Sequence, residues 1–166
     1  MTSISNIARE VFRNRDEFAC ALRALERRDF AAAATELTQL LERCADDADR
    51  AFLYNKRGVA RIGLELRELA REDFDAALAA RRHYAPALTN LGNLLLESGL
   101  VNEAIAQYQR AIASDVDYAL AHLNLGMAYK KAGRVAEGVR AIRHAQRLED
   151  RARPSALRSL RWFRRS

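Results

Sequence analysis

The sequence repeats itself at a spacing of 34 residues. The segment Asn90–Gly92 recurs as Asn124–Gly126, and Gly99 recurs as Gly133. One further step back along the chain places Gly58 at the position of Gly92. A repeat of this length, with glycine in one helix-period stretch and alanine in the next, predicts stacked helix-turn-helix units. Each unit of such a solenoid buries its apolar face only against its neighbours.

The recurring positions resemble the tetratricopeptide repeat (TPR), in which a Leu-Gly pair, an aromatic residue and two alanines recur at fixed offsets. In residues 85–118 the pattern is filled by Leu88, Leu91, Gly92, Leu95, Ala104, Tyr108 and Ala111. In residues 119–152 it is filled by His122, Leu125, Gly126, Tyr129, Gly138, Ile142 and Ala145.

The resemblance implies an all-α, right-handed superhelical solenoid of antiparallel helix pairs. We expect four units, at 14–50, 51–84, 85–118 and 119–152, with an N-terminal helical extension at 1–13 and an arginine-rich cap helix at 153–166. The first unit needs three extra residues, which we place within 45–50. In each unit the small residue of the first helix should let the second helix approach closely.

The second unit departs from the pattern by placing Arg57 and Arg61 where apolar residues are usual. The resemblance implies that the Arg57 guanidinium reaches Asp73 on the paired helix. A partly buried arginine requires such a partner, because an unpaired charge is costly to bury. Gly99 should close the first helix of the third unit as a left-handed cap.

The composition favours a single helical domain. The 166 residues are 49% apolar and include only 7 Gly and 2 Pro. No apolar stretch is long enough to span a membrane, and the start lacks the apolar core of a secretory signal, so we expect a cytoplasmic protein. Cys20 and Cys44 are expected to be reduced thiols packed between helices.

No residue has the context of a metal ligand or of an activated nucleophile. His83, His122 and His144 do not share a ligand spacing, and the glycines form no phosphate-binding loop. The sequence therefore predicts a non-catalytic protein without cofactor or metal.

The concave face of a TPR domain is lined by its first helices, and the resemblance places a peptide-binding groove there. The predicted groove residues are Asn55, Lys56, Asn90, Asn93, Asn124, Met127, Lys130 and Lys131. Asn90 and Asn124 share an offset at which TPR proteins often hold a ligand backbone, since an amide offers both donor and acceptor. Alternatively, asparagine at this offset belongs to the ordinary repeat pattern. If they contact only a ligand, replacing them with alanine should leave thermal stability nearly unchanged.

The predicted groove is partly basic and partly apolar. Its lysines favour an acidic ligand, although they could equally form a solvated face. Phe18 and Leu22 stand where the carboxylate clamp of co-chaperone TPRs has Lys and Asn, so we expect no binding of a chaperone's acidic C-terminus. The apolar neighbours favour an amphipathic helix or an extended apolar peptide.

The net charge of +6 belongs entirely to residues 151–166, which contain six arginines and no acid. The apolar residues there have helical spacing, so we expect a cap helix. Alternatively this segment binds nucleic acid or an anionic surface. The residues of that possible anion-binding tail are Arg158, Arg161, Trp162, Arg164 and Arg165.

We therefore expect a protein–protein interaction module, a scaffold or adaptor that binds a peptide or helical segment in its groove. Two alternatives stay open. One is a protein that associates with nucleic acid or an anionic surface through its arginine-rich tail. The other is an assembly factor or accessory subunit of an enzyme complex, whose chemistry lies in the partner.

Overall fold

The computed structural model describes residues 15–152, with side chains described from Phe18 onward. Within this range the chain forms eight α-helices and no strand, which confirms the all-α prediction. The helices are α1 (Arg15–Glu26), α2 (Phe30–Arg43), α3 (Asp47–Gly63), α4 (Arg67–Ala80), α5 (Ala85–Glu97), α6 (Val101–Ser114), α7 (Ala119–Lys131) and α8 (Val135–Ala152).

The two predicted terminal segments, 1–13 and 153–166, lie outside the described residues. The candidate anion-binding tail is part of the second segment, so its residues Arg158, Arg161, Trp162, Arg164 and Arg165 also lie outside. Their roles stay predictions.

Each helix packs against the next along the chain, forming a helical solenoid. In addition, α3 contacts α5 and α5 contacts α7. We call α1, α3, α5 and α7 the first helices, and α2, α4, α6 and α8 the second helices. The Phe18 ring of α1 in turn stacks on the Phe52 ring of α3. We call the side of the solenoid that the first helices line the inner face.

The turn from each first helix to its second helix repeats one geometry. A residue with positive φ ends the helix at Arg28, Glu65, Gly99 and Gly133. The next residue then donates its N–H to the carbonyl five positions earlier, as Leu100 does to Leu95. This left-handed ending satisfies carbonyls that the helix end leaves unpaired. The cap predicted at Gly99, where φ is 81°, is confirmed.

The three extra residues of the first unit lengthen a helix. The helix α3 has 17 residues, whereas α5 and α7 have 13 each. It begins at Asp47, four residues before the unit boundary expected at 51, and the Asp46 side chain caps it by accepting from the N–H of Asp49. An aspartate at this position satisfies one of the helix's free N–H groups. The insertion therefore becomes an added turn of helix.

Small residues bring the paired helices into close contact, as the sequence predicted. A Cβ on Gly92 would lie 2.5 Å from the Tyr108 ring, and one on Gly58 would lie 2.5 Å from the Phe74 ring. In the last pair, a Cβ on Gly138 would lie 2.7 Å from the backbone oxygen of Gly126. The aromatic ring occupies the space that a side chain would take, except in the last pair, where backbone packs on backbone.

Both arginines of the second unit converge on one buried carboxylate. Arg57 donates to Asp73 through Nη2 at 2.7 Å and through Nε at 3.1 Å, which confirms the predicted pair. Arg61 Nη1 lies 2.9 Å from Asp73 Oδ2, the oxygen that also accepts from Arg57 Nε. The Asp73 side chain is only 2% exposed. Arg57 also donates to Thr38 Oγ1 on α2, so this cluster ties three helices together.

Candidate functional site

The inner face carries the predicted groove residues at different depths. Asn55 is 4% exposed, and Met127 is 54% exposed. The half-buried members are Lys56, Asn90, Asn93 and Asn124, and the other exposed members are Lys130 and Lys131. The asparagines therefore form the floor of this surface.

The asparagines form two hydrogen-bonded pairs, and each pair joins consecutive first helices. Asn90 Nδ2 on α5 donates to Asn55 Oδ1 on α3 at 2.9 Å. Asn124 Nδ2 on α7 donates to Asn93 Oδ1 on α5 at 2.8 Å. The expectation that Asn90 and Asn124 contact only a ligand is therefore wrong. Each amide already holds two units together, because the side chains of neighbouring units lie within reach.

One of these pairs is anchored in the core. The hydroxyl of Tyr108, a fully buried residue on α6, donates to Asn93 Oδ1 at 2.8 Å. Burial raises the pKa of Tyr108 to about 12, and the carboxylate of Glu97 adds to the shift. The neutral hydroxyl is the donor, since a carboxamide oxygen can only accept. With two donors on its oxygen, the Asn93 amide is fixed in orientation.

The two pairs leave a set of hydrogen-bonding groups unused. Asn55 and Asn93 use their carboxamide oxygens, which leaves each NH₂ group as a donor. Asn90 and Asn124 use one N–H, which leaves each oxygen as an acceptor. Among residues 18–152, no other side-chain hydrogen bond engages these four amides apart from that of Tyr108. The floor therefore presents free N–H donors from Asn55 and Asn93 and free oxygen acceptors from Asn90 and Asn124.

Aromatic and basic side chains border the asparagines towards the N-terminus. The Phe18 and Phe52 rings stack with centroids 5.8 Å apart. The Lys56 ammonium lies 5.3 Å from the centroid of Phe52. Burial lowers the pKa of Lys56. No carboxylate of the described residues lies within ion-pair distance of this ammonium.

The two lysines at the end of α7 have separate surroundings. Lys131 Nζ donates to the Leu96 carbonyl at 3.0 Å, at the C-terminal end of α5, where a cation is favoured by the helix dipole. The stem of Lys130 packs over Gly138 of α8. Lys131 therefore reaches the neighbouring unit, whereas Lys130 covers its own helix pair. Lys56, in contrast to both, is half-buried.

A cavity of about 150 Å³ opens between α3 and α5. Its apolar lining consists of Val59, Ile62, Phe74 and Leu94. Its polar lining consists of Asn90, Asn93 and Glu97. Sequence reasoning did not find this cavity, because its lining comes from two consecutive units. The sequence feature that could have indicated an apolar site is Val59, which stands one repeat before Asn93 and has no polar atom.

The remaining sequence-based expectations concern the cysteines, the histidines and the membrane. Cys20 is exposed, so its predicted burial between helices is wrong, whereas Cys44 is half-buried. The rings of His122 and His144 meet with centroids 4.4 Å apart. Between residues 15 and 152, no helix combines the length and apolar character needed to cross a bilayer.

Two family models match overlapping parts of this chain. A model described as a TPR repeat matches residues 92–133, and a model described as a tetratricopeptide repeat matches residues 119–151.

Solved structures of other proteins share the fold. A crystal structure of MamA is 20% identical, with a TM-score of 0.66 over 89% of this chain and 85% of that one. YrrB, described as a TPR protein with an unusual peptide-binding site, is 17% identical, with a TM-score of 0.61 over 89% of this chain and 73% of that one. The second TPR of Spaghetti (RPAP3), bound to the HSP90 peptide SRMEEVD, is 23% identical, with a TM-score of 0.56 over 60% of this chain and 86% of that one.

Proposed function

Because residues 92–151 of this chain belong to the tetratricopeptide-repeat family, we propose that the protein is a non-catalytic interaction module. Its inner face binds an extended peptide segment of a partner protein. The protein then acts as a scaffold or adaptor that holds this partner.

The observation that carries this proposal is the set of unused amide groups on the inner face. The NH₂ groups of Asn55 and Asn93 are free to donate, and the oxygens of Asn90 and Asn124 are free to accept. An extended peptide presents free carbonyl and N–H groups along its length, whereas a helix has already paired its own. The arrangement therefore favours an extended ligand over a helical one.

The comparisons support the same class of function. The Spaghetti structure contains a bound peptide, and YrrB is described by its peptide-binding site. Both are proteins of the same fold. The HSP90 peptide itself is not the ligand we propose here, because Phe18 and Leu22 replace the polar residues of the carboxylate clamp.

Affinity purification from the native cell followed by mass spectrometry tests the proposal. The variant Asn90→Ala with Asn124→Ala should lose the partner that the parent protein recovers. Asn102→Ala, an exposed change on α6, is the matched control and should retain it. Circular dichroism of each variant separates lost binding from lost folding.

Two results would contradict the proposal. If the folded double variant retains the partner, the inner face is not the binding surface. If the protein recovers nucleic acid in place of a protein, with binding that falls steeply with salt, the alternative based on the arginine-rich tail is favoured.

A further inference from the structure

Equivalent positions in two successive interfaces have different chemistry. Between α5 and α7, Tyr108 and Asn93 form the hydrogen-bonded centre of the inner face. One repeat earlier, between α3 and α5, the same positions are Phe74 and Val59. Neither side chain has a polar atom, and both line the apolar side of the cavity of about 150 Å³, whose other side consists of Asn90, Asn93 and Glu97.

We propose that this cavity receives one aliphatic side chain of the bound peptide, and that Lys56 pairs with an acidic side chain of the same peptide. The inference rests on the proposed function and specifies the ligand that the inner face selects.

The size and lining of the cavity support an aliphatic occupant. A space of about 150 Å³ is large enough for a molecule such as benzene, and so for one aliphatic side chain. Four of its lining side chains are Val59, Ile62, Phe74 and Leu94. A leucine, isoleucine or methionine side chain would remove this apolar surface from water.

The surroundings of Lys56 support an acidic group nearby. Its ammonium is half-buried over Phe52, and no carboxylate of the described residues pairs with it. A partly desolvated cation gains most from a partner that brings a charge of opposite sign. A ligand carboxylate supplies that charge.

The distance between the two sites sets the spacing in the ligand. Phe52, under the ammonium, precedes Val59 at the cavity by about two turns of α3, or roughly 10 Å. Side chains two or four residues apart in an extended chain point the same way and span about 7–13 Å. The preferred ligand therefore has an acidic residue two or four positions from an aliphatic one.

Selection from a displayed library of random linear peptides tests this inference. The enriched peptides should contain that pair of residues. In a synthetic peptide from the selection, replacing the aliphatic residue with alanine, or the acid with its amide, should each weaken binding about tenfold. This measurement uses the unchanged protein and does not depend on the folding of any variant.

Two changes in the protein provide the complementary test. The double change Val59→Asn with Phe74→Tyr introduces the residues that stand one repeat later in this chain. It should lower the affinity for the selected peptide about tenfold or more. Lys56→Gln should lower the affinity for the peptide, and the affinity should then depend less on the salt concentration. Arg110→Gln, which removes an exposed positive charge from the second helix α6, is the control and should leave the affinity unchanged.

The outcomes separate this inference from the proposed function. If the enriched peptides lose affinity with Asn90→Ala but show no preference for the acidic–aliphatic pair, this inference is overturned while the proposed function stands. If the library yields no enriched peptide, both are overturned. Unchanged affinity after the two peptide substitutions also overturns the inference.

Discussion

Asn93 on α5 and Asn124 on α7 are joined by a hydrogen bond of 2.8 Å, and the oxygen that accepts it also accepts from buried Tyr108. The inner face is therefore connected to the core through one carboxamide. Changes made there to test binding will also change stability, and this coupling can be measured.

Asn93→Ala should destabilise the protein by about 1–3 kcal/mol, because it leaves the buried Tyr108 hydroxyl without its acceptor. Tyr108→Phe removes that hydroxyl, so the two changes together should cost less than their sum. Urea unfolding of both single variants and the double variant measures the coupling. Strictly additive costs would show that the hydrogen bond between these residues contributes nothing.

Asp73→Asn should destabilise the protein by about 3 kcal/mol, since it leaves Arg57 and Arg61 partly buried without a carboxylate. Asp75→Asn, an exposed change on the same helix, should have little effect. Chemical denaturation of the two variants gives the comparison. Equal stabilities would mean that water, and not Asp73, stabilises the charges of the two arginines.

Gly138→Ala should destabilise the protein by about 1–3 kcal/mol, although the equivalent positions in the two preceding repeats are Ala70 and Ala104. Alanine favours a helix by about 1 kcal/mol over glycine, but its Cβ would lie 2.7 Å from the Gly126 backbone oxygen, which cannot rotate away. Thermal melts should show the loss, with Gln146→Ala on the exposed side of α8 as the control. A higher melting temperature for Gly138→Ala would contradict the close approach of α7 and α8.

Alkaline titration should reveal buried tyrosines. Burial raises the pKa of Tyr84 and of Tyr108 to about 12, from an ordinary value of 10.0. The native state thus favours the neutral phenol, and the resulting stability is complete below pH 10 and is lost as the pH rises towards 12. Absorbance at the wavelength of ionised tyrosine should show a late phase in the folded protein that urea removes. Tyr108→Phe should reduce that phase, and its persistence at full size would contradict the assignment.

The sequence by itself determined the repeat and the contacts within each unit. The 34-residue period, the glycines beneath aromatic rings and the left-handed ending at Gly99 follow from residues that recur at fixed offsets. The pair of Arg57 with Asp73 could be predicted for the same reason, because both belong to one helix pair. A recurring pattern records the packing that every unit shares.

Only the tertiary structure decided how neighbouring units meet. The pairing of Asn124 with Asn93, the reach of Lys131 to Leu96 and the cavity beside Val59 each join side chains from consecutive units. The three extra residues likewise became a turn of α3 and not a longer loop. These features depend on the distance and rotation between stacked units. The side-chain volumes of both units determine that geometry, so no single repeat encodes it.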